Sequence, residues 1–345
     1  MNKTFKVLDL FCGCGGLSHG FIECGYDVCL GIDHWQDALT TFSYNHKKTK
    51  TLLADLQTLA PEDVCHDFGL AHVDVIIGGP PCQGFSIAGK RIIDDERNKL
   101  YKAFVRFIHF FRPEAFVMEN VPNILSIGNG QVRDSILNDF TTLGYNVVYK
   151  VLCASEYGVP QNRRRTFFVG LKNSTFIFPK HSVSIPVTAK EAISDLPEQS
   201  INDGDAYPVQ PESDFQKIMR RESSAVFNHQ ATVHTQRTKQ IISLVPDGGN
   251  YLDLPAELQH TRKVHIAWTR LNSNKPSITI DTGHNHHFHY LFNRVPTARE
   301  SARLQSFPDD FVFLCGKTSQ LKQIGNAVPP LLAEEIAKQL KGYLS

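Results

Sequence analysis

The 345-residue chain contains no run of the roughly 18 apolar residues that a membrane-spanning helix needs, so we expect no such helix. The amino-terminal MNKTFKVLDLF has too short an apolar segment for a signal peptide. Charge of one sign is also lacking, because 36 lysines and arginines nearly balance 35 aspartates and glutamates, for a formal net charge of +1. A polyanionic partner would therefore have to bind a local basic surface.

The cysteine pattern favours neither disulfides nor a metal site. The eight cysteines are scattered at positions 12, 14, 24, 29, 65, 82, 153 and 315, which is typical of reduced thiols in the cytoplasm. Cys12 and Cys14 lack the second ligand pair that a four-ligand zinc site needs, so we predict no metal. The histidine-rich DTGHNHHFHY at 281–290 has no cysteine or second carboxylate nearby, which favours a polar recognition or hinge segment over a metal site.

The first sixty residues have the pattern of a nucleotide-binding βαβ unit. FKVLDLF predicts a strand, CGCGG a glycine-rich turn, LSHGFIECG a helix, and YDVCLGID a second strand that ends in Asp33. Asp33 follows Gly13 by 20 residues, the spacing at which a carboxylate meets a ribose bound at the first turn. The alternative is a tight strand-to-helix connection that binds nothing.

Strands and helices continue to alternate up to about residue 171. TKTLLADL, VDVIIGG and EAFVMENV predict strands that end near Asp55, Pro80 and Glu119, and further strands and helices follow them. This order predicts an α/β fold with a doubly wound, mostly parallel sheet, in which ligands bind at the carboxyl ends of the strands. These strand ends should converge on one crevice, although Asp55 has the alternative role of capping the next helix.

The composition of the chain changes after about residue 175, where the regular alternation of strands and helices ends. Five prolines interrupt residues 175–215, and residues 217–303 hold 12 lysines and arginines, 6 acidic residues and 8 of the 15 histidines. This basic region is either an ordinary solvated surface or a surface that meets phosphates. The final LKQIGNAVPPLLAEEIAKQL predicts a loop followed by an amphipathic helix. We expect a large domain at 1–185 plus 312–345 and a smaller domain at 186–311.

The segment GGPPCQGFS places Cys82 after a buried strand, so the turn either presents the thiol or only needs its own rigidity. The neighbouring strand ends carry Glu119, and an arginine cluster QNRRR follows at 161–165. A thiol, a carboxylate, arginines and a nucleotide-type site fit methylation of cytosine at C5. A thiolate adds to C6, an acid assists at N3, C5 accepts a methyl group from S-adenosyl-L-methionine, and the base must be flipped from the duplex.

The chain resembles the cytosine-C5 DNA methyltransferases of bacterial modification systems. The resemblance runs over nearly its whole length, in the order of the family's motifs. It rests on six segments: DLFCGCGGLSHGF, GGPPCQGFS, ENV at 119–121, QNRRR at 161–165, RESARLQSFPDDF at 299–311 and QIGNAVPP at 323–330. It implies a Rossmann-like catalytic domain and a smaller domain that recognises the target sequence.

The resemblance also implies roles for individual residues. Cys82 would be the nucleophile and Glu119 would assist at N3, while Arg163 and Arg165 would hold the flipped cytosine and the catalytic loop. The cofactor would be S-adenosyl-L-methionine, with S-adenosyl-L-homocysteine as product and no metal. Its binding residues would be Phe11, Gly13, Gly15, Asp33 for the ribose, His34 or the adjacent Trp35 over the adenine, Asp55, Pro80, Asn326 and Val328.

The implied partner is double-stranded DNA, with a cognate restriction endonuclease in the same system. We expect a cytoplasmic monomer that is associated with the nucleoid through DNA and not with a membrane. Three alternatives remain open: an RNA methyltransferase on the same scaffold, a DNA-binding regulator built on an inactive enzyme, and a Rossmann dehydrogenase. The dehydrogenase explains the first sixty residues but not PPCQ, ENV or QNRRR.

Overall fold

The computed structural model describes residues 4–81, 99–221, 223–259, 268–283 and 287–344. The chain divides into two compact units. Unit 1 comprises residues 1–153, 164–180 and 332–345, and unit 2 comprises residues 154–163 and 181–331. The predicted large domain also included residues 154–163, 181–185 and 312–331, which are compact with unit 2. The assignment of catalysis and target recognition to separate domains stays a prediction.

Unit 1 is built on a seven-stranded sheet with strand order β3-β2-β1-β4-β5-β7-β6. The first five strands in this order pair in parallel, and β7 runs antiparallel to both β5 and β6. The predicted α/β fold with a mostly parallel sheet is therefore confirmed. The strands are β1 (Lys6–Leu10), β2 (Asp27–Asp33), β3 (Lys50–Leu53), β4 (Val75–Gly78), β5 (Ala115–Asn120), β6 (Asn146–Cys153) and β7 (Arg164–Leu171).

Strand β4 is a continuous apolar run, as expected of a parallel strand whose two faces are both covered. All four residues of β4 are buried, and the core joins Leu8, Ile76 and Phe116 to aromatic residues of the helices at Lys99–Phe111 and Gln131–Thr142. The helices of this unit are α1 (Gly16–Glu23), α2 (Gln36–Asn45), α3 (Pro61–Phe68), α4 (Lys99–Phe111) and α5 (Gln131–Thr142).

The carboxyl-terminal helix α12 (Pro330–Leu344) packs with unit 1 from Leu332 onward. The Tyr26 hydroxyl donates to the Ala337 carbonyl over 3.0 Å, and a Cβ on Gly20 would lie 2.6 Å from that of Ala333. Gly20 therefore permits close packing of α1 against α12. The segment before this helix is not the predicted loop, because residues 321–326 form the end of α11 (Lys317–Asn326) and the chain becomes extended only at Ala327.

Unit 2 has short elements and relies on buried ion pairs between them. Its helices and strands are α6 (Ala189–Ile193), α7 (Asp214–Arg220), α8 (Gln236–Ser243), α9 (Ala256–Gln259), α10 (Ala298–Leu304), β8 (Asp205–Ala206), β9 (Ala225–Val226), β10 (Thr269–Arg270) and β11 (His287–Phe288). Arg303 on α10 is fully buried and binds both Asp195 and Asp309 over 2.6–3.2 Å. The RESARLQSFPDD segment thus forms the polar core of this unit.

Candidate active site

The glycine-rich turn after β1 is held by the carboxylate that ends β2. The Gly13 amide donates to Asp33 Oδ2 over 2.8 Å, and the Trp35 amide donates to Asp33 Oδ1 over 2.9 Å. Asp33 is 7% exposed. The predicted proximity of Gly13 and Asp33 is therefore present in the structure, and the second lone pair on Asp33 Oδ2 is available to a hydroxyl donor.

The same turn contains backbone strain of a kind that often marks a functional segment. Phe11 is a non-glycine residue at φ 60°, a left-handed conformation that costs about 1–2 kcal/mol for an L-residue. Gly15 has φ 95° in the N-cap position just before α1, and a Cβ there would lie 2.4 Å from the His46 ring. Gly13 has φ 55°, and a Cβ on it would meet no heavy atom of the described residues within 4 Å. The backbone at Gly13 is thus open to close approach by a ligand.

The residues predicted to contact an adenosine lie at neighbouring strand ends. His34 is exposed, and its Nδ1 lies 3.3 Å from Asp33 Oδ1, while Trp35 is half-buried at the start of α2. Asp55 is exposed two residues beyond β3, and its Oδ1 accepts from the Gln57 amide over 2.9 Å. The alternative of Asp55 as a helix cap is wrong, because α3 begins at Pro61, with Ala60 in the cap position.

Asp9 in β1 is a polar residue of this region that the sequence analysis did not single out. It is 1% exposed, and its Oδ2 accepts from the Ser18 hydroxyl over 2.5 Å. Burial is the main cause that raises the pKa of Asp9 from 3.8 to about 8, the Ser18 hydrogen bond lowers it, and the charge of Asp33 raises it further. An acidic residue within an otherwise apolar strand was the available sequence signal.

A second group of residues lies at the carboxyl ends of β4 and β5. Strand register pairs Gly78 with Met118, which places Gly79 level with Glu119. A Cβ on Gly79 would lie 3.0 Å from Glu119 Oε2, so the glycine allows the carboxylate to approach the backbone. Arg165 Nε lies 2.8 Å from Glu119 Oε1, and both side chains are about one-seventh exposed. The structure therefore brings Glu119 and Arg165 together.

Asn120 connects this group to Pro80, a contact that the sequence did not reveal. Its side-chain Nδ2 donates to the carbonyl of buried Pro80 over 2.9 Å, and its Oδ1 accepts from the Val121 amide over 2.9 Å. The ENV segment therefore presents one side chain to Arg165 and uses the next to hold the chain just before Cys82. Cys82 itself lies outside the described residues, and its predicted role stays a prediction.

Arg163, Asn326 and Val328 belong to unit 2, in contrast to Arg165. Arg163 is 1% exposed, and its Nη2 donates to the Gly325 carbonyl over 2.8 Å. Asn326 is the exposed last residue of α11, and Val328 is buried two residues later. The structure thus brings Arg163 to the segment that carries Asn326. Contact of Arg163 with the flipped cytosine or the catalytic loop stays a prediction.

The histidine-rich segment is only partly described, but His289 has a defined internal role. Its Nδ1 accepts from the Leu291 and Phe292 amides over 3.0 and 3.1 Å, so it caps a tight turn. Burial lowers the pKa of His289 to about 4. Within the described ranges, no three histidine, cysteine, aspartate or glutamate side chains are grouped as metal ligands would be.

Known proteins match the chain over almost its full length. A family model described as "C-5 cytosine-specific DNA methylase" matches residues 5–342. The chain belongs to this family. Its family membership makes it a DNA (cytosine-5-)-methyltransferase and leaves the dehydrogenase alternative without support. No helix among the described residues is long and apolar enough to span a bilayer.

Two curated type II methyltransferases are similar to this C5 methyltransferase over most of both chains. The type II methyltransferase M.DdeI of Desulfomicrobium norvegicum is 39% identical over 98% of this chain and 89% of its own length. The type II methyltransferase M1.HphI of Haemophilus parahaemolyticus is 40% identical over 97% of this chain and 86% of its own length.

The fold of this C5 methyltransferase also occurs in solved structures. A prophage-encoded protein of E. coli, described as a DNA modification methyltransferase, superposes with a TM-score of 0.82 at 30% identity and covers 98% of this chain and 99% of its own. Spodoptera frugiperda DNMT2 shares the fold, with a TM-score of 0.65 at 17% identity over 98% of this chain and 99% of its own.

Proposed function

We propose that this C5 methyltransferase is sequence-specific and is the modification enzyme of a type II restriction–modification system. Its substrate is a cytosine flipped from double-stranded DNA, and its methyl donor is S-adenosyl-L-methionine. The observation that carries the proposal is the ion pair of Arg165 and Glu119 beside Gly79, at the strand end that leads to Cys82. The names of M.DdeI and M1.HphI support the type II assignment.

The residues of the first turn fit S-adenosyl-L-methionine. Among the described residues no heavy atom lies within 4 Å of a Cβ built on Gly13, so a ligand can approach this backbone closely. Asp33 is held by two backbone amides at the end of β2 and offers a carboxylate oxygen to the ribose hydroxyls. Phe11 and Gly15 would frame the methionine part, His34 or Trp35 would cover the adenine, and Asp55 would accept from the adenine amine. Pro80, Asn326 and Val328 would complete the site.

The chemistry is divided among four side chains. The Cys82 thiolate adds to C6 of cytosine, which makes C5 nucleophilic, and the protonated carboxyl group of Glu119 donates its proton to N3, which neutralises the charge that the addition creates. S-adenosyl-L-methionine, when bound, supplies the methyl group that is transferred to C5, and S-adenosyl-L-homocysteine is its product. Arg165 orients the Glu119 carboxyl group and contacts the base. Arg163, which donates to the Gly325 carbonyl, would help to hold the flipped cytosine and the catalytic loop. After methyl transfer, a base removes the C5 proton, and the thiolate of Cys82 leaves C6.

The positions of Asn120 and Pro80 support this division of roles. Because the Asn120 amide fixes the Pro80 carbonyl, the start of the segment that carries Cys82 is anchored to the strand that carries Glu119. A nucleophile and an acid that act on one ring must be held within a fraction of an ångström of the productive geometry. Asn120 is therefore a positioning residue in this proposal.

The remaining parts of the proposal concern partners and organisation. Residues 186–311 would select the DNA sequence through base-edge contacts, while phosphate contacts fix position. A cognate restriction endonuclease would act on the same DNA word. The protein would work as a monomer in the cytoplasm, associated with the nucleoid through DNA.

The test uses purified protein, isotope-labelled S-adenosyl-L-methionine and unmethylated genomic DNA, with transfer RNA as a parallel substrate. We expect label at C5 of cytosine within one short DNA sequence, which bisulfite sequencing identifies. Cys82→Ala should transfer no methyl group. Glu119→Gln should reduce the single-turnover rate by about 100-fold or more, the contribution typical of general acid–base assistance.

A matched control separates loss of chemistry from loss of fold. Glu114→Gln changes a half-buried carboxylate that pairs with Lys172 just before β5, and it should retain wild-type activity. Label that goes only to transfer RNA would reject the DNA substrate and keep the scaffold. Binding of DNA without transfer to either polymer would favour the regulator.

A further inference from the structure

Two buried glutamines in unit 2 form a hydrogen-bonded relay that ends at the segment carrying Asn326. Gln161 and Gln305 are both 0% exposed. Gln161 Nε2 donates to Gln305 Oε1, and Gln305 Nε2 donates to the carbonyls of Ile324 and Ala327 over 3.2 and 2.7 Å. The relay therefore joins the QNRRR, RLQSF and QIGNA segments through side-chain amides.

The direction of this relay is determined by its two ends. A backbone carbonyl can only accept, so Ile324 and Ala327 must face the amino group of Gln305. The oxygen of Gln305 then faces Gln161, which must donate. The oxygen of Gln161 in turn accepts from the Ile280 amide over 3.0 Å, and a backbone amide can only donate. All four N–H groups of the two side-chain amides donate, because Gln161 Nε2 also donates to the Leu304 carbonyl over 3.1 Å, and each amide oxygen accepts one hydrogen bond.

The relay acts at a helix end that needs partners. The last carbonyl groups of a helix find no N–H donor within the helix. Because α11 ends at Asn326, the carbonyl groups just before this residue need donors from elsewhere. Gln305 supplies a donor to the Ile324 carbonyl, and Arg163 supplies one to the Gly325 carbonyl. A Cβ on Gly325 would lie 2.3 Å from the Asp281 carbonyl oxygen, so the chain is also packed tightly there. The backbone on both sides of Asn326 is thus fixed by buried groups, while Asn326 itself is exposed.

We propose that Gln161 and Gln305 are positioning residues that hold the Ile324–Val328 segment in the conformation that binds the methyl donor. The inference rests on the proposed roles of Asn326 and Val328 in cofactor binding. It adds that their geometry is determined by an amide relay of defined polarity, and not only by apolar packing. A carboxylate in place of the Gln305 amide therefore cannot hold this segment, because it has no N–H to donate to the two carbonyls, although its size and shape are nearly the same.

The first experiment measures binding of S-adenosyl-L-methionine by calorimetry, without DNA, for Gln305→Met and Gln305→Glu. Both variants fill the space but present no amino group to the two carbonyls. We expect each to weaken binding at least tenfold and to speed hydrogen exchange of the Ala327 and Val328 amides. Affinity for duplex DNA should change less than threefold.

The matched control is Gln216→Met. Gln216 is also 0% exposed in unit 2. Its side-chain oxygen accepts from the backbone N–H of Glu212 and its side-chain nitrogen donates to the Ser194 hydroxyl, so it makes no contact with residues 324–328 in these hydrogen bonds. Gln216→Met should lower the thermal stability by about as much as the Gln305 variants do, and its affinity for S-adenosyl-L-methionine should stay within twofold of the wild type. Wild-type affinity in Gln305→Glu, or an equal loss in Gln216→Met, would overturn the proposal.

A measurement on the unaltered protein covers the case in which the Gln305 variants do not fold. Saturating S-adenosyl-L-methionine should slow hydrogen exchange at residues 324–328 of the wild type, and no change there would also overturn the proposal. Failure of the proposed function looks different, because a wild-type protein that binds the cofactor but methylates no DNA rejects that function alone. If the wild type methylates DNA and the Gln305 variants bind S-adenosyl-L-methionine with unchanged affinity, only the positioning role of the relay is rejected.

Discussion

We expect Asp9→Asn to gain stability relative to the wild-type protein as the pH rises from 5 to 8. Asp9 lies in β1 with 1% exposure, and the buried Oδ1 of its carboxyl group has no hydrogen-bond partner among the described residues. Burial, the main cause, and the charge of Asp33 raise the pKa of Asp9 to about 8, against the opposing effect of the Ser18 hydroxyl. The folded protein thus holds a proton that the unfolded chain releases near pH 4.

The size of the effect follows from proton linkage. The raised pKa contributes stability that is fully present below pH 3.8 and is lost as pH rises towards about 8. Each pH unit within this window removes about 1.4 kcal/mol, so the interval from pH 5 to pH 8 removes up to about 4 kcal/mol. Asparagine carries no charge at any pH, and its amide oxygen can still accept from Ser18. The free energy of unfolding of Asp9→Asn should therefore lack this decline.

The assay is urea unfolding at pH 5, 6, 7 and 8, with tryptophan fluorescence as the signal. The chain has two tryptophans, and a Trp268→Phe background leaves Trp35 as a reporter in unit 1. Asp63→Asn, an exposed acidic residue in the first turn of α3, is the control and should follow the wild type at every pH. A constant difference between Asp9→Asn and wild type from pH 5 to pH 8 would refute the reasoning.

Three further predictions test the cores of the two units. Asp309→Asn should lower the free energy of unfolding by about 3–5 kcal/mol in urea, because it leaves the buried charge of Arg303 without one of its partners. Burial, the largest single effect, raises the pKa of Glu300, but the charge and hydrogen bond of Arg294 together with the charges of His289 and His229 lower it to about 2. Stability from Glu300 is therefore present above about pH 4.5 and is lost as pH falls towards 2. Glu300→Gln should remove about 3 kcal/mol of this acid dependence in unfolding curves from pH 2.5 to 5. Gly78→Ala should lower the melting temperature by more than about 10 °C, because its Cβ would lie 2.1 Å from a carbonyl oxygen of β1.

Each of these three predictions has a matched control. Asp310→Asn changes an exposed neighbour of Asp309 and should cost less than about 1 kcal/mol, so an equal loss would contradict the ion-pair argument. Glu62→Gln on the surface of α3 should leave the acid dependence unchanged. Gly144→Ala, at φ 89° in open space among the described residues, should cost about 1–2 kcal/mol from backbone strain alone, and a comparable loss in Gly78→Ala would contradict the steric argument.

The sheet was predictable from the sequence because its strands are short, apolar and separated by clear helix and turn signals. Runs such as VDVIIGG and EAFVMENV coincide with β4 and β5. Prediction failed at residues 321–326, where LKQIGN reads as a loop but continues α11. The last carbonyls of this helix accept hydrogen bonds from the side chains of Gln305 and Arg163. These two residues are distant in the chain and leave no local pattern in the sequence.

The site was predictable to a similar degree. The spacing of Gly13 and Asp33 predicted that they lie close together at one ribose site. The structure places them within hydrogen-bonding distance, and the ribose role of Asp33 stays a prediction. The hydrogen bond from Asn120 to Pro80 spans 40 residues of chain and has no local signature. Asp9 was missed because its importance lies in burial and in the charge of Asp33, two properties of the folded state.

The sequence by itself determined the α/β class, the order of the motifs and the residue types available for chemistry, because apolar periodicity, turn residues and motif spacing are local properties. Only the tertiary structure decided which side chains meet. It paired Glu119 with Arg165 and placed Arg163, two residues earlier in the chain, against Gly325. It also determined the polarity of the amide relay that ends at Ile324 and Ala327. These contacts depend on strand register and on the burial of groups far apart in the chain, which local sequence patterns do not encode.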